Sequence, residues 1–205
     1  MNHYKKSYFS KLPKRINANI LNCLHGYKSP LLIGTKGEVE NLAIFSNVFH
    51  LGASPHLIGM ISRPDSVNRD TLKNIKSTKF FTINFIDEEN LRNSHQTSAR
   101  YCESEFKKCD FTALYSDDCK APYVKESKLR LGLDLKEIID ISINNTHLII
   151  GEVFEVFSKV NIENLDLSRV SNIAVNGLDR YFKTSPHVRL SYAKTDSELK
   201  ELDFD

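Results

Sequence analysis

The sequence predicts a mainly β fold, a Greek-key barrel or sandwich with peripheral helices. At least six short runs rich in β-branched and aromatic residues lie along the chain, and turn residues separate them. The helical segments do not alternate regularly with these runs, as they would in a parallel α/β fold. Because 205 residues suit one hydrophobic core, we expect a single domain over residues 1–205.

The composition is that of a globular protein, with 40% hydrophobic and 26% charged residues. No run approaches the roughly 18–20 apolar residues of a membrane span, and the start lacks the apolar centre of a secretory signal. We therefore expect no membrane partner and a cytoplasmic location. The four cysteines show no C-x-x-C spacing and the histidines form no H-E-x-x-H motif, so free thiols and no metal site are expected.

Charge is unevenly placed along the chain. Seven Lys or Arg and no acid precede Glu38, which leaves a net charge of −5 for the remainder. Such a start suits a nucleic-acid-binding arm, a targeting peptide or a helix with one basic face. Ser10 can cap a helix to about Leu24, with Pro13 in its first turn. Apolar residues at helical spacing favour a helical segment over residues 1–28 packed on the domain: Leu12, Ile16, Ile20, Cys23 and Leu24.

The remaining elements follow from local patterns. Strands are expected at residues 31–35, 39–46, 57–62, 80–86, 128–135, 138–143, 147–160 and 188–192. Lys36-Gly37 and Asn144-Asn145 are turn signals between antiparallel neighbours. Asp70 can cap a helix over residues 71–76, and Asp87 a helical stretch toward residue 101. Residues 102–127 show weak periodicity, which predicts a loop with short elements.

The motifs of several enzyme classes are missing from the sequence. There is no G-x-G-x-x-G, no G-x-x-x-x-G-K-[ST] and no G-x-S-x-G. These absences argue against a Rossmann dinucleotide fold, a P-loop and an α/β-hydrolase nucleophile. No catalytic side chain can be assigned from the sequence.

Polar residues concentrate in three segments between the predicted strands. They are residues 41–48, then residues 62–71 with Ser62, Arg63, Ser66, Arg69 and Thr71, and finally Asn84 with residues 95–98. Hydroxyls and arginines at a strand end and a helix start can hold a phosphate through charge-assisted hydrogen bonds. Ordinary solvated loops remain the alternative at this level.

The same segments carry a resemblance to a known family. The relevant stretches are residues 26–29, 32–35, Asn41-Leu42-Ala43-Ile44-Phe45-Ser46, Ser54-Pro55, Arg69-Asp70-Thr71-Leu72-Lys73-Asn74-Ile75, Phe81-Thr82-Ile83-Asn84 and 121–127. Their order and spacing resemble the flavin reductase-like family, whose fold is the FMN-binding split β-barrel. The resemblance runs from about Asn19 to Lys194. It sharpens the predicted fold to a Greek-key split β-barrel with peripheral helices, including an N-terminal helix.

The resemblance also implies a cofactor and a site. Family members bind FMN, with FAD as an alternative, usually at a homodimer interface. Residues expected along the isoalloxazine and ribityl chain are Phe45, Ser46, Asn47 and Val48. Residues expected near the phosphate are Ser62, Arg63, Arg69 and Thr71. Residues expected to close the site are Asn84, His95, Thr97 and Ser98, while Tyr101 and Tyr181 either form an aromatic wall or pack in the core.

The implied activity is flavin reduction by NAD(P)H. The nicotinamide would pass a hydride to the flavin, and the electrons would go to a second flavin, another electron acceptor or a partner oxygenase. Two alternatives stay open: an FMN-binding electron carrier resembling flavoredoxin, and a non-enzymatic barrel that binds nucleic acid. The last lacks the interleaved aromatic and basic residues that base stacking requires, so no nucleic-acid partner is expected.

Overall fold

The computed structural model describes residues 1–64, 69–195 and 197–203. The helices are α1 (Lys6–Phe9), α2 (Lys14–Leu24), α3 (Asp70–Thr78), α4 (Leu91–Gln96) and α5 (Glu105–Lys108), with a 3₁₀ turn at Leu167–Arg169. The strands are β1 (Leu31–Lys36), β2 (Glu40–Phe45), β3 (Val48–Ala53), β4 (His56–Ser62), β5 (Phe80–Phe85), β6 (Ala113–Leu114), β7 (Tyr123–Val124), β8 (Leu129–Ile141), β9 (Thr146–Ser158), β10 (Ile173–Asn176), β11 (Arg180–Lys183), β12 (Arg189–Leu190) and β13 (Glu201–Leu202). No helix among these residues is both long and apolar enough to cross a membrane.

Seven of the strands form one antiparallel sheet in the order β2-β1-β5-β8-β9-β4-β3. Its two edge strands, β2 and β3, follow each other in the chain and are linked by Ser46 and Asn47 alone. A flat sheet would hold its edges roughly 29 Å apart, since strands lie about 4.8 Å apart. The link spans at most about 11 Å. The sheet must therefore curl until its edges approach at this end, which makes a split barrel and confirms the predicted fold class.

The two faces of β1 show how the barrel is filled. Ile33 packs inside with Met60, Phe81 and Ile149, and α3 closes this cluster with Ile75. Residue 32, one position away, points to the other face and packs with residues of α5, β7 and β10. Successive side chains of a strand point to opposite faces, so Leu31–Ile33 of β1 are all apolar because both faces of the strand are covered here.

Strand β8 corrects one sequence-based boundary. Residues 128–135 and 138–143 were expected to form two strands, but Leu129–Ile141 is one strand paired with β9. Its register against β9 shifts between Gly132 and Leu133 and again between Leu135 and Glu137. At the second shift the extra residue is Lys136 of β8, which breaks the two-residue periodicity of this strand, so one irregular strand has the pattern of two.

The N-terminal helix starts later than predicted and is less buried. Pro13 is the residue before α2, and Ser10 follows the separate helix α1, where its hydroxyl donates to the carbonyl of Ser7. Proline lacks the N–H of a continuous helix and restricts the residue before it, so the segment divides here. No residue of α2 is buried, and Ile16 and Leu24 on its apolar stripe are exposed.

Candidate functional site

A cleft of about 990 Å³ opens beside the Ser46–Asn47 link. Its walls come from the end of β2, the segment after β4, the start of α3, the end of α4 with the loop after it, and the β10–β11 hairpin. The curling of the sheet brings these elements together, because the link joins its two edges at this point. The described residues of the predicted site that line the cleft are Phe45, Ser46, Asn47, Ser62, Arg63, Arg69, Thr71, His95, Thr97 and Ser98.

Two predicted site residues do not line this cleft. Val48 begins β3, pairs with Met60 and packs against the barrel core. Asn84 is fully buried, and its amide nitrogen donates to the carbonyl of Leu32 at 3.2 Å. Its side-chain oxygen accepts from the backbone N–H of Val124 at 2.8 Å. The Asn84 side chain therefore ties β7 to the sheet behind the cleft. Residue 66, from the same polar concentration, lies outside the described residues.

Three arginines give the cleft its positive charge: Arg63, Arg69 and Arg100 all line it. Among the described residues none of them lies within 4.0 Å of a carboxylate, and Nε of Arg69 donates to the carbonyl of Pro64 at 3.3 Å. Burial lowers the pKa of Arg69, and the charges of Arg63 and Arg100 lower it further. Cations that repel one another around a cleft favour an anionic ligand.

A buried hydroxyl lies beside these cations. Thr71, at the start of α3, is only 8% exposed and lines the cleft. Its oxygen accepts a hydrogen bond of 3.1 Å from the side-chain amide of Asn41, which also donates to Thr35 at 3.1 Å. A hydroxyl that accepts in this way keeps its own proton for another acceptor. The network therefore fixes the first turn of α3 on β1 and β2 and leaves Thr71 able to donate into the cleft.

Two acids, Asp70 and Glu105, also line the cleft, and the more buried of them is Glu105. It is half-buried at the start of α5, and its carboxylate accepts from the backbone N–H of Leu42 at 3.2 Å. Burial raises the pKa of Glu105, and the nearby charge of Asp70 acts in the same direction. Protonation is thereby made easier, which reduces the negative charge that an anionic ligand would meet.

Aromatic side chains of His95, Tyr101 and Tyr181 form another part of the cleft lining. Nδ1 of His95 lies 2.7 Å from the hydroxyl oxygen of Tyr181, and the two rings are perpendicular with centroids 5.5 Å apart. The amide of Gln96 donates to the hydroxyl of Tyr101 at 2.7 Å. Both tyrosines line the cleft and also pack against the core cluster outside the barrel. The aromatic wall and the packing role expected as alternatives therefore coincide.

The sequence interpretation missed Arg100, Glu105 and Lys28. Arg100 lies two residues beyond the predicted 95–98 segment, so only a wider window would have included it. Lys28 is 9% exposed, and its Nζ donates to the side chain of Asn22 at 3.0 Å behind the cleft wall. Burial lowers the pKa of Lys28, and the charge of Arg63 lowers it too. No local motif marks these three positions, because they lie on separate segments that only the fold brings together.

Comparison with known proteins agrees with this geometry. The family model for the flavin reductase like domain matches residues 24–167. The chain belongs to this family. The matched region of this flavin reductase-like protein runs from the end of α2 to the 3₁₀ turn, and it includes the whole seven-stranded sheet.

Solved structures share the fold over nearly the whole chain. A protein of Shewanella frigidimarina named as a flavin reductase with split barrel domain is 40% identical, with a TM-score of 0.88 over 94% of this chain and 100% of that one. Nitrilotriacetate monooxygenase component B from Bacillus cereus is 20% identical, with a TM-score of 0.82 over 93% and 100%. The FMN-binding protein of Thermus thermophilus is 16% identical, with a TM-score of 0.72 over 95% and 100%. The last two show the fold alone, and the family membership makes this chain a flavoprotein of the oxidoreductase class.

The buried position of Glu105 predicts a pH-dependent stability. Its folded-state pKa is raised from 4.5, so its favourable contribution is complete below that pH and is lost as pH rises through the folded pKa. Glu105→Gln keeps an acceptor for the N–H of Leu42 without the charge. We expect the unfolding free energy of the wild type, relative to this variant, to fall as pH rises above 4.5 in urea titrations.

Glu103→Gln is the matched control for that experiment. Glu103 is exposed, and its hydrogen bond with Lys108 lowers its pKa, so removing its charge should not reproduce the trend. A stability difference for Glu105→Gln that stays constant with pH would contradict the account.

Proposed function

We propose that this protein is an NAD(P)H-dependent flavin reductase that binds FMN, or FAD as an alternative, in the cleft beside the Ser46–Asn47 link. One observation carries the proposal: in a flavin reductase-like fold, three arginines without carboxylate partners among the described residues line one cleft with a buried threonine hydroxyl. A phosphate needs such cations and hydroxyl donors.

The described residues fit the phosphate of a flavin nucleotide. Arg63 and Arg69 supply charge, and Thr71 supplies a proton that its bond from Asn41 leaves available. Ser62, at the end of β4, is 3% exposed and lines the same wall. These four side chains would hold the phosphate at the start of α3, where the N-terminal end of the helix also favours negative charge.

The isoalloxazine would lie along the Phe45–Val48 segment. The carbonyl of Asn47 accepts from the backbone N–H of Ile61 at 2.9 Å, which fixes this segment against β4. His95, Thr97 and Ser98 would close the opposite side, with His95 held by Tyr181. Asn84 would act from behind by fixing the sheet, because its amide is used within the protein.

The protein's part in the reaction is binding and orientation. A bound flavin accepts a hydride from reduced nicotinamide and passes electrons on, so no protein nucleophile is needed. The arginines would anchor the phosphate while the aromatic wall of Tyr101 and Tyr181 limits water beside the ring. The electrons would go to a second flavin, another acceptor or a partner oxygenase, and the fold shared with a monooxygenase component B supports the last.

A homodimer is part of the proposal, and α2 supplies its support. Ile16, Leu21 and Leu24 are 51%, 53% and 69% exposed, so an apolar face of this helix is uncovered in one chain. The basic start of one copy and the acidic remainder of another would also attract each other.

We expect about twice the chain mass in sedimentation velocity and a shift toward monomer in Leu24→Glu. Leu199→Glu, in the exposed acidic tail, is the matched control, and a monomeric wild type would refute this part.

The phosphate assignment predicts a selective loss of affinity. Arg69→Gln and Arg63→Gln should each raise the dissociation constant for FMN roughly tenfold, since a charge-assisted contact is lost. Riboflavin, which has no phosphate, should bind these variants as it binds the wild type. Fluorescence titration measures both ligands, and Arg92→Gln, exposed on α4 away from the cleft lining, is the control. Unchanged FMN affinity in both variants would refute the assignment.

Anaerobic mixing tests the reductase activity itself. Protein loaded with FMN should lose the visible absorbance of oxidised flavin when NADH or NADPH is added. If the protein binds FMN but neither donor bleaches it, the reductase proposal fails and an electron carrier remains. The shared fold with flavoredoxin makes that the second candidate.

A further inference from the structure

The cations of the cleft differ in depth. Ser62 and Thr71 are buried at 3% and 8% exposure, and Arg69 beside them is half-buried. Arg63 and Arg100 line the same cleft but are exposed. The buried groups therefore suit a phosphate inside the cleft, and the two exposed arginines lie on its solvent-facing side.

Arg100 comes from a different wall than the residues assigned to the flavin phosphate. Arg63 and Arg69 flank the segment between β4 and α3, whereas Arg100 is in the loop between α4 and α5. Within the described residues no hydrogen bond or ion pair uses the Arg100 guanidinium. Its charge nevertheless acts on Arg69, because Arg100, like Arg63, lowers the pKa of Arg69. Arg100 is thus close to the phosphate region, and its guanidinium N–H groups can donate to a ligand.

The cleft is larger than one phosphate monoester requires, and its arginines come from two separate walls. Asp70 and Glu105 line it beside the three arginines, so the support for a second anion is the separate position of Arg100 and not an excess of charge. A volume of about 990 Å³ is also near the upper end of the range for small-molecule sites, which is about 300–1,000 Å³. The volume and the separate position of Arg100 fit a ligand set with a second phosphate.

We propose that Arg100 binds a second phosphate group, that of an adenine dinucleotide, at the rim of the cleft. This inference rests on the proposed flavin site. The dinucleotide is either FAD, whose second phosphate would extend from the flavin phosphate, or the nicotinamide dinucleotide that supplies the hydride. In both cases a guanidinium would make charge-assisted hydrogen bonds to phosphate oxygens.

Binding constants for four probes test the role of Arg100. FMN and FAD are titrated into flavin-free protein, and ADP-ribose and its 2′-phosphate are titrated into FMN-loaded protein. Arg100→Gln should weaken FAD or one of the ADP-ribose probes at least fivefold while FMN changes less than twofold. Arg92→Gln should change none of them. A loss of affinity for FAD identifies the flavin dinucleotide as the source of the second phosphate. A loss of affinity for an ADP-ribose probe identifies the nicotinamide dinucleotide.

Two results would overturn the inference. An equal loss of FMN and FAD affinity would show that Arg100 shares the first phosphate. The other result has two parts: Arg100→Gln binds FAD with the affinity of the wild type, and binding of both ADP-ribose probes is unchanged or undetectable. That result would show that Arg100 binds no second phosphate. Failure of the wild type to bind FMN would instead refute the proposed function, so the two failures are distinguishable.

Discussion

The two-residue connection between β2 and β3 is the constraint on which the rest of the site depends. A seven-stranded sheet whose edge strands are joined by Ser46 and Asn47 cannot remain flat. Curling brings the end of β2, the end of β4 and the start of α3 to one place. The cleft is therefore a consequence of the chain path, and its walls are fixed by strands that also enclose the barrel core.

Within that frame, the electrostatics of the cleft are arranged for an anion. Arg63, Arg69 and Arg100 have no carboxylate within ion-pair distance among the described residues. Glu105 is held by a backbone N–H, and burial raises its pKa. Thr71 has its oxygen occupied and its proton available. Arginines without carboxylate partners repel one another in an empty cleft, and a bound phosphate would stabilise them. This connects the geometry to the flavin chemistry of the family.

Much of this was predictable from the sequence, and the misses have physical causes. Strands β1, β4 and β5 follow from short apolar runs between turn residues, whereas the edge strand β3 was missed because most of its residues are exposed. The extra residue Lys136 in β8 obscured one long strand. The polar segments that form most of the cleft are local patterns, and they were identified together with the family resemblance. Arg100 could not be assigned because its proximity to Arg69 exists only after folding.

The most direct test is a crystal structure of the protein with FMN. We expect a phosphate with oxygens within hydrogen-bond distance of the Thr71 hydroxyl and the Arg69 guanidinium, and an isoalloxazine beside the Ser46–Asn47 link. A second, smaller cavity of about 210 Å³ is lined by Lys128, Ser168 and Arg169 on another part of the described surface. An FMN phosphate bound there, or anywhere away from α3, would contradict the central claim.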